Sequence, residues 1–536
     1  MDPGPSQPEP RPLQPGTDLS FDSLELIGAV IGEIRIDAQN IFDLNDEKEN
    51  SYLYGLANAL HIRTRPAVIR RQLLFKSGER VSKRVIEETE RLLRTNRFLY
   101  DVSIHPVAYQ NGVVDIDVRT RDTWTLEPGA SASRAGGSNK TGVTFKENNA
   151  LGTGVFVGVS RSSDAERAGT EYRISQPHAF DGWTSIDYSL TQWSDGLSRS
   201  AAVTRPFYAL DTRWTAGLST STDNRINYIY SGGDIHSQYR RWEDGAEASG
   251  GWSAGLVNGW TQRYSLGLTY LKDTYQELIL KPPDTLPPDQ TLVAPFFRFE
   301  AVEDDFEKVK NKDLIERAEY FALGFHSTLQ LGRSLVGLGS TQSLWLYSAS
   351  ASDGIRLPGS QTVLASASIG GQSGYGPLDR QTLSGSIRYY GNPKDDTLLF
   401  SSLSGDALRD PTASSQLVLG GDTGLRGYAR NYQSGDRKVL FNIEERVYTD
   451  WYPFRLFRVG GAVFYDLGRA WGGPTQSTVS AGWLNDVGFG LRILSARSAF
   501  GNVLHIDLAF PLNRDPNVDG NRPRQVQFLV TTKITL

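Results

Sequence analysis

VLHIDLAF, residues 503–510, sets Leu504, Ile506, Leu508 and Phe510 on one side of an extended chain and Val503, His505 and Asp507 on the other. Neighbouring side chains on a strand point to opposite faces, so this period of two describes a strand with one apolar and one largely polar surface. The pattern recurs. Tyr264, Leu266, Leu268 and Tyr270 alternate with Ser265, Gly267 and Thr269, and Ile186, Tyr188 and Leu190 with Ser185, Asp187 and Ser189. Near the C-terminus Val526, Phe528, Val530 and Ile534 alternate with Gln525, Gln527, Thr531 and Lys533. A soluble sandwich shows the same alternation, so length has to decide. Residues 127–536 number 410 (536 − 126), which accommodates roughly sixteen antiparallel strands of ~10 residues with their connections. A sheet that long is best closed on itself, because a closed ring has no unpaired edge. The expected fold is an antiparallel transmembrane β-barrel whose apolar faces meet lipid and whose polar faces line a lumen.

Composition agrees. Aromatic residues reach 11% and Gly numbers 54, a strand-rich and turn-rich profile. The mean hydropathy of −0.38 and the lack of a long uncharged apolar run exclude a membrane-spanning helix, but not a barrel, in which only alternate residues touch lipid. The formal net charge is −5, which leaves no basic footprint for nucleic acid. With zero Cys there is no thiol chemistry and no disulfide, and six scattered His offer no metal-binding spacing; neither metal nor other cofactor is expected. Met1-Asp2-Pro3 is followed by no basic region and no apolar stretch, so these residues spell no secretory signal, and export of a barrel implies a natural signal removed ahead of them.

The N-terminal quarter reads differently. Pro3, Pro5, Pro8, Pro10, Pro12 and Pro15 mark an extended leader, expected to be disordered, within a first segment of residues 1–31. Residues 32–126 form a separate α/β domain, and 127–536 the barrel. Ile34 and Ile36 start a strand, Leu53, Leu56, Ala57 and Leu60 fit a helix, and Val85, Ile86, Thr89, Leu92 and Leu93 share the inner face of another. Arg84, Glu87, Glu88, Glu90, Arg91 and Arg94 form that helix's polar face. Two alternating runs, Val102–Val107 and Val113–Val118, flank Asn111-Gly112, a strong hairpin turn. The charged stretch Glu303–Arg317 is expected to be a loop or short helix on an undetermined side of the barrel.

Three further stretches carry the functional signal: GGDTGLRGYARNY at 420–432, VLFNIEERVYTDWYPF at 439–454 and GGAVFYDLGRAWG at 460–472. Asn442, Glu444 and Arg446 share one strand face, and Phe464 and Asp466 share a face of the next. If both faces look into the lumen, two carboxylates become available to Arg426, whose planar fork suits paired oxygens. Gly420, Gly421, Gly424 and Gly427 supply backbone freedom for a tight tip.

The text from Ile69 to Asp122 resembles a POTRA domain, the periplasmic module of the Omp85 superfamily, with Phe98 and Val102 at its F-x-x-V positions. Leu425, Arg426, Gly427 and Tyr428 are similar to that superfamily's loop-tip V/I-R-G-F/Y element, and Phe464, Asp466 and Gly468 to its F-x-D-x-G strand element. ENNALGTG at 147–154 is similar to its early barrel. The resemblance implies a bacterial outer-membrane protein with the N-terminal domain in the periplasm. It implies that Arg426 folds back into the lumen, and that the protein assists insertion or translocation of a polypeptide client received by the POTRA-like domain. Two departures stand out: the chain ends in Leu536 rather than an aromatic residue, and it carries one such domain.

No nucleophile elbow, zinc-helix motif, phosphate loop or dinucleotide fingerprint occurs. No catalytic residue is assigned and the protein is not read as an enzyme. A passive pore or structural barrel and an outer-membrane hydrolase are the competing classes; client crosslinking and Arg426-dependent conductance would separate the first, activity on lipid or ester substrates the second.

Overall fold

The computed structural model describes residues 20–135, 138–231, 234–374, 376, 379–392, 394, 396–410, 415–473, 482–497, 503–514 and 523–533. The expected disordered leader falls largely outside these residues, as do Ile534 and Leu536. Its last part is ordered, contrary to a leader reaching residue 31. α1 (Phe21–Leu26) is capped by the Ser20 hydroxyl, and Leu24 is buried in the core of the unit that follows.

That unit runs through β1 (Val30–Gln39), α2 (Tyr52–Leu60), α3 (Pro66–Arg70), α4 (Lys83–Arg94), β2 (Leu99–Gln110) and β3 (Val113–Asp122). β1 lies parallel to β3 and β2 antiparallel to it, giving the sheet order β1-β3-β2. Asn111 (φ 52) and Gly112 (φ 80) both take the positive φ that a tight two-residue hairpin needs. Ile31, Val114 and Ile116 from the sheet meet Val68, Ile69, Ile86 and Leu93 from α3 and α4. α2 adds nothing to this core. Glu88, on the polar face as expected, is not left to solvent there. It is buried, accepting from the Leu210 amide at 2.8 Å and paired with Arg84 at 3.1 Å.

Among the described residues, twenty antiparallel strands follow one another around a closed ring, from Leu126–Ala135 to Gln527–Lys533. The expectation of about sixteen fails because it allowed too much chain for connections. Trp193 to Gly196 and Val257 to Trp260 are bridged by two residues each, and Ala150 to Val155 and Ala179 to Thr184 by four. The ring closes where Val530 pairs with Arg134, the one registered pair between last and first strands among the described residues, whereas the last strand shares seven described pairs with the one before it.

Parity holds around the ring. On Leu484–Ser495, Asp486 and Arg492 are buried while Val487, Phe489 and Leu491 are exposed. Ser366 bonds Ser386 across the inner face at 2.9 Å, and Ile387 and Leu403 stand exposed on the outer one. Ile186, Tyr188, Leu266, Leu268 and Phe528 are exposed on outer faces, and Ile506, Leu508 and Val530 are part-exposed. No helix among the described residues is long and apolar enough to cross a membrane.

Strand direction alternates, so connections alternate between the two ends of the ring. Turns 151–154, 180–183, 206–213 and 449–456 lie at the end that carries the N-terminal unit. So does the charged stretch, in which 311–317 is loop as expected but Phe306–Lys310 is a strand, paired with Ala318–Ala322 as a hairpin. Lys308 and the Tyr320 hydroxyl reach Glu90 of α4 at 2.8 and 3.1 Å, and the Arg91 guanidinium stacks 3.5 Å over Phe306. The inner side packs Val309, Ile315 and Phe321 against Tyr390, Leu398 and Phe400 of the wall. The hairpin therefore fills space between α4 and the barrel mouth.

Two outcomes follow from this arrangement. Leu268→Arg should lower unfolding free energy in a bilayer by roughly 2–4 kcal/mol if the residue sits at mid-depth, whereas Ser189→Arg, whose hydroxyl faces the lumen toward Ser200, should cost little; urea titration of folded barrel in vesicles reads both. The hairpin should also respond to pH. Burial, with Asp313 opposite, pushes the Glu319 carboxyl up to about 8 from an ordinary 4.5, despite the amides of Lys312 and Asp313 that it accepts. A raised acid favours the seated state when protonated, so seating is strongest below pH 4.5 and is lost as pH rises through about 8. A bimane probe at Lys310→Cys should become more open to iodide across that interval, and Glu319→Gln should flatten most of the change.

Candidate functional site

The connection between Thr397–Arg409 and Arg437–Tyr448 leaves the ring at the end away from the N-terminal unit and turns back inside. Its two arms, Leu417–Leu419 and Gln433–Gly435, pair as a short ribbon. The tip closes tightly at two glycines. Gly420 has φ +127 and a Cβ there would lie 2.1 Å from the Ala429 carbonyl; at Gly427 a Cβ would lie 2.6 Å from the Asp486 Cβ. The tip also crosses the lumen. Gln416 exchanges hydrogen bonds with the Tyr230 main chain at 2.7 and 3.0 Å, and Arg430 pairs with Glu166 at 3.2 Å on the opposite wall.

At the tip Arg426 is 2% exposed. Its Nε and one terminal nitrogen each donate to Asp466 at 2.7 Å, the bidentate geometry in which an Arg–carboxylate pair is strongest. The other terminal nitrogen donates to Glu444 at 2.9 Å and reaches Asp507 at 3.5 Å. The guanidinium carbon lies 3.3 Å over the Phe464 ring. Asn442 donates to Asp466 at 2.8 Å, and the Gly427 amide to Asp486 at 3.0 Å. Two further arginines complete the cluster. Arg492 bonds Glu444 at 3.0 Å and Asp507 at 2.6 Å, and Arg446 bonds Glu444 at 2.8 Å while its other arm reaches the Lys312 carbonyl of the hairpin loop at 3.2 Å.

Each predicted residue thus has a place. Asp466 and Glu444 meet Arg426, Phe464 forms the ring beneath it, and Leu425 and Tyr428 are buried with Leu419 and Leu484. The Tyr428 hydroxyl donates to the Asn485 and Asn513 carbonyls at 3.0 and 2.9 Å. Gly468 leaves room for Leu419, whose methyl would lie 3.0 Å from a Cβ there. The sequence reading missed Arg492, Asp507 and Asp486. Parity was the available signal: Arg492 alternates with Val487, Phe489 and Leu491, and Asp507 with Ile506 and Leu508, so all three had to face inward.

Three arginines and four carboxylates withdrawn from bulk water are tolerable because nearly every charge has an opposite one within hydrogen-bond reach. The arrangement carries no nucleophile–base pair and acts as a latch, fixing a crossing loop to consecutive strands of the wall.

A closed antiparallel ring with apolar residues outside and a latched loop inside has the build of a transmembrane β-barrel. Residues 324–533 match the Omp85 superfamily domain. Among solved structures, BamA from Haemophilus ducreyi lacking POTRA domains 1–3 is 14% identical, over 94% of this chain and 84% of that one, with a TM-score of 0.38. CdiB from Acinetobacter baumannii is 12% identical, over 94% of this chain and 74% of that one, with a TM-score of 0.45. CdiB from Escherichia coli is also 12% identical, over 94% and 76%, with a TM-score of 0.47. No curated protein matches this chain.

Arg426→Ala should cost about 3–5 kcal/mol of stability, because it leaves Asp466 and Glu444 buried without their cation, read as a fall in the thermal or urea midpoint. Arg426→Lys should rescue only part, since Lys lacks the fork. Asp466→Asn should resemble Arg426→Ala, with a double variant clearly less than additive; strict additivity would show that the two do not act as a pair.

Proposed function

We propose that this protein assists the insertion or translocation of polypeptides at the bacterial outer membrane, with its N-terminal POTRA-like unit in the periplasm. The observation that carries this reading is the Arg426 latch. A loop that crosses the lumen and is pinned by a buried charge network is a poor feature for a passive pore, but it suits a barrel that must hold one shape while a client engages. The β1-β3-β2 sheet supports client capture by strand addition, since β2 lies at an edge of the sheet. The seam between the first and last strands, with one registered pair among the described residues, supports a lateral route, because few of the described backbone bonds have to part there. Such a role needs no catalysis and no cofactor; its partners are the outer-membrane lipid and the client.

The test combines location and dependence. A photocrosslinker at Ser103 or His105 on β2 should capture polypeptides in living cells. Outer membranes lacking the protein should lose a defined set of proteins that the wild-type chain restores and Arg426→Ala does not. Unchanged outer-membrane composition, together with no crosslinked client, would overturn the proposal in favour of a pore or structural barrel.

A further inference from the structure

α2 is turned inside out. Its polar side faces the protein: Asn58 bonds both the amide and the carbonyl of Phe42 at 3.1 and 2.8 Å, and Tyr54 stacks on Phe42 with ring centroids 4.3 Å apart. Its apolar side faces outward. Leu53, Leu56 and Leu60, one helix face, are 70%, 43% and 65% exposed, with Tyr52 and Ile62 beside them. In water such a contiguous patch is costly, and one on a helix with its polar side satisfied elsewhere marks an interaction surface.

The helix is tied to the barrel at both ends. The Tyr54 hydroxyl donates to the Phe454 carbonyl at 2.8 Å in turn 449–456. Just past the helix, the Arg65 amide and side chain donate to the Gly152 and Leu151 carbonyls at 2.9 and 3.1 Å in turn 151–154. The ring order places the last three strands and the first between those turns, so the segment runs beneath the seam. Both turns present apolar tips, Trp451, Phe454 and Leu151, continuous with the outer-face belt of Val463, Phe489, Leu491 and Phe145. The leucines of α2 therefore extend the surface that meets lipid, and Arg63 and Arg65, both exposed, stand where phosphate headgroups would lie.

We propose that α2 lies in the phospholipid leaflet on the N-terminal unit's side of the membrane, as an in-plane anchor beneath the seam. This rests on the barrel spanning a bilayer, and the test separates the two. The chain has no Cys, so single variants Leu56→Cys on α2, Leu266→Cys on the belt and Glu47→Cys in the preceding loop can each carry an environment-sensitive NBD label. The full chain is then folded into phosphatidylcholine vesicles containing spin-labelled lipid. The expected result is a blue shift and strong quenching at position 56 by shallow labels, quenching at 266 by deep labels, and neither at 47. Quenching at 266 with a solvent-like probe at 56 overturns the proposal while leaving the barrel intact. So does a blue shift at 56 that spin-labelled lipid leaves unquenched, which marks a protein occupant, whether a client or a second copy. Loss of quenching at both positions would remove the barrel reading and the anchor with it. Because these leucines lie outside the core, a combined Leu53→Glu, Leu56→Glu, Leu60→Glu variant should fold and yet lose quenching of a probe at Ile62→Cys.

Discussion

Burying the Arg426 guanidinium is the constraint on which the rest of the C-terminal barrel depends. A charge taken out of water has to be met on every side, and here the partners come from separate strands: Glu444 from one, Asp466 from the next, Asp507 from the last strand but one. Arg492 stands between Glu444 and Asp507 and keeps those acids from facing each other uncompensated. None of these groups is satisfied unless strand register is right, because a slip of one residue turns every one of them outward. The network thus fixes register as well as loop position.

The network also continues beyond the loop. Arg446 bonds Glu444 on one side and the Lys312 carbonyl on the other, and the hairpin that carries Lys312 touches Glu90 and Arg91 of α4. Side-chain contacts and the hairpin's own backbone therefore join the loop tip, the wall, the hairpin and the N-terminal unit. Movement at either end must be accommodated along that connection, which couples the N-terminal unit mechanically to the loop in the lumen.

The alternation at Leu504–Phe510 and Tyr264–Tyr270 made the strands legible, because lipid on one side and lumen on the other impose a period of two, and the length of 127–536 made them a barrel rather than a sandwich. The loop latch was legible through Arg426, Asp466 and Glu444 because strand parity put both acids on inner faces and the resemblance of the loop-tip and strand elements placed the Arg in the lumen. Strand number was not, because it depends on turn length, and turns as short as Ser194-Asp195 leave only a weak local mark. The burial of Glu88 was not legible for a related reason: helical periodicity separates polar from apolar positions, but it cannot show that the polar side will be covered by a second body. α2 shows the converse, a helix legible from its leucine spacing whose leucines then face outward.

One feature of the wall shapes approach from outside. The strand Asp234–Val257 runs for 24 residues, which at about 3.3 Å per residue and a tilt near 40° rises roughly 60 Å, against an apolar band of ~25 Å. Its neighbours Trp214–Ser231 and Trp260–Glu277 are 18 residues each, so this arc stands above the rest of the rim like a sail. The loop tip leans on its lee side through Gln416 and Tyr230. A bulky molecule approaching the lumen from that end is screened from the latch on that flank by the height of the wall.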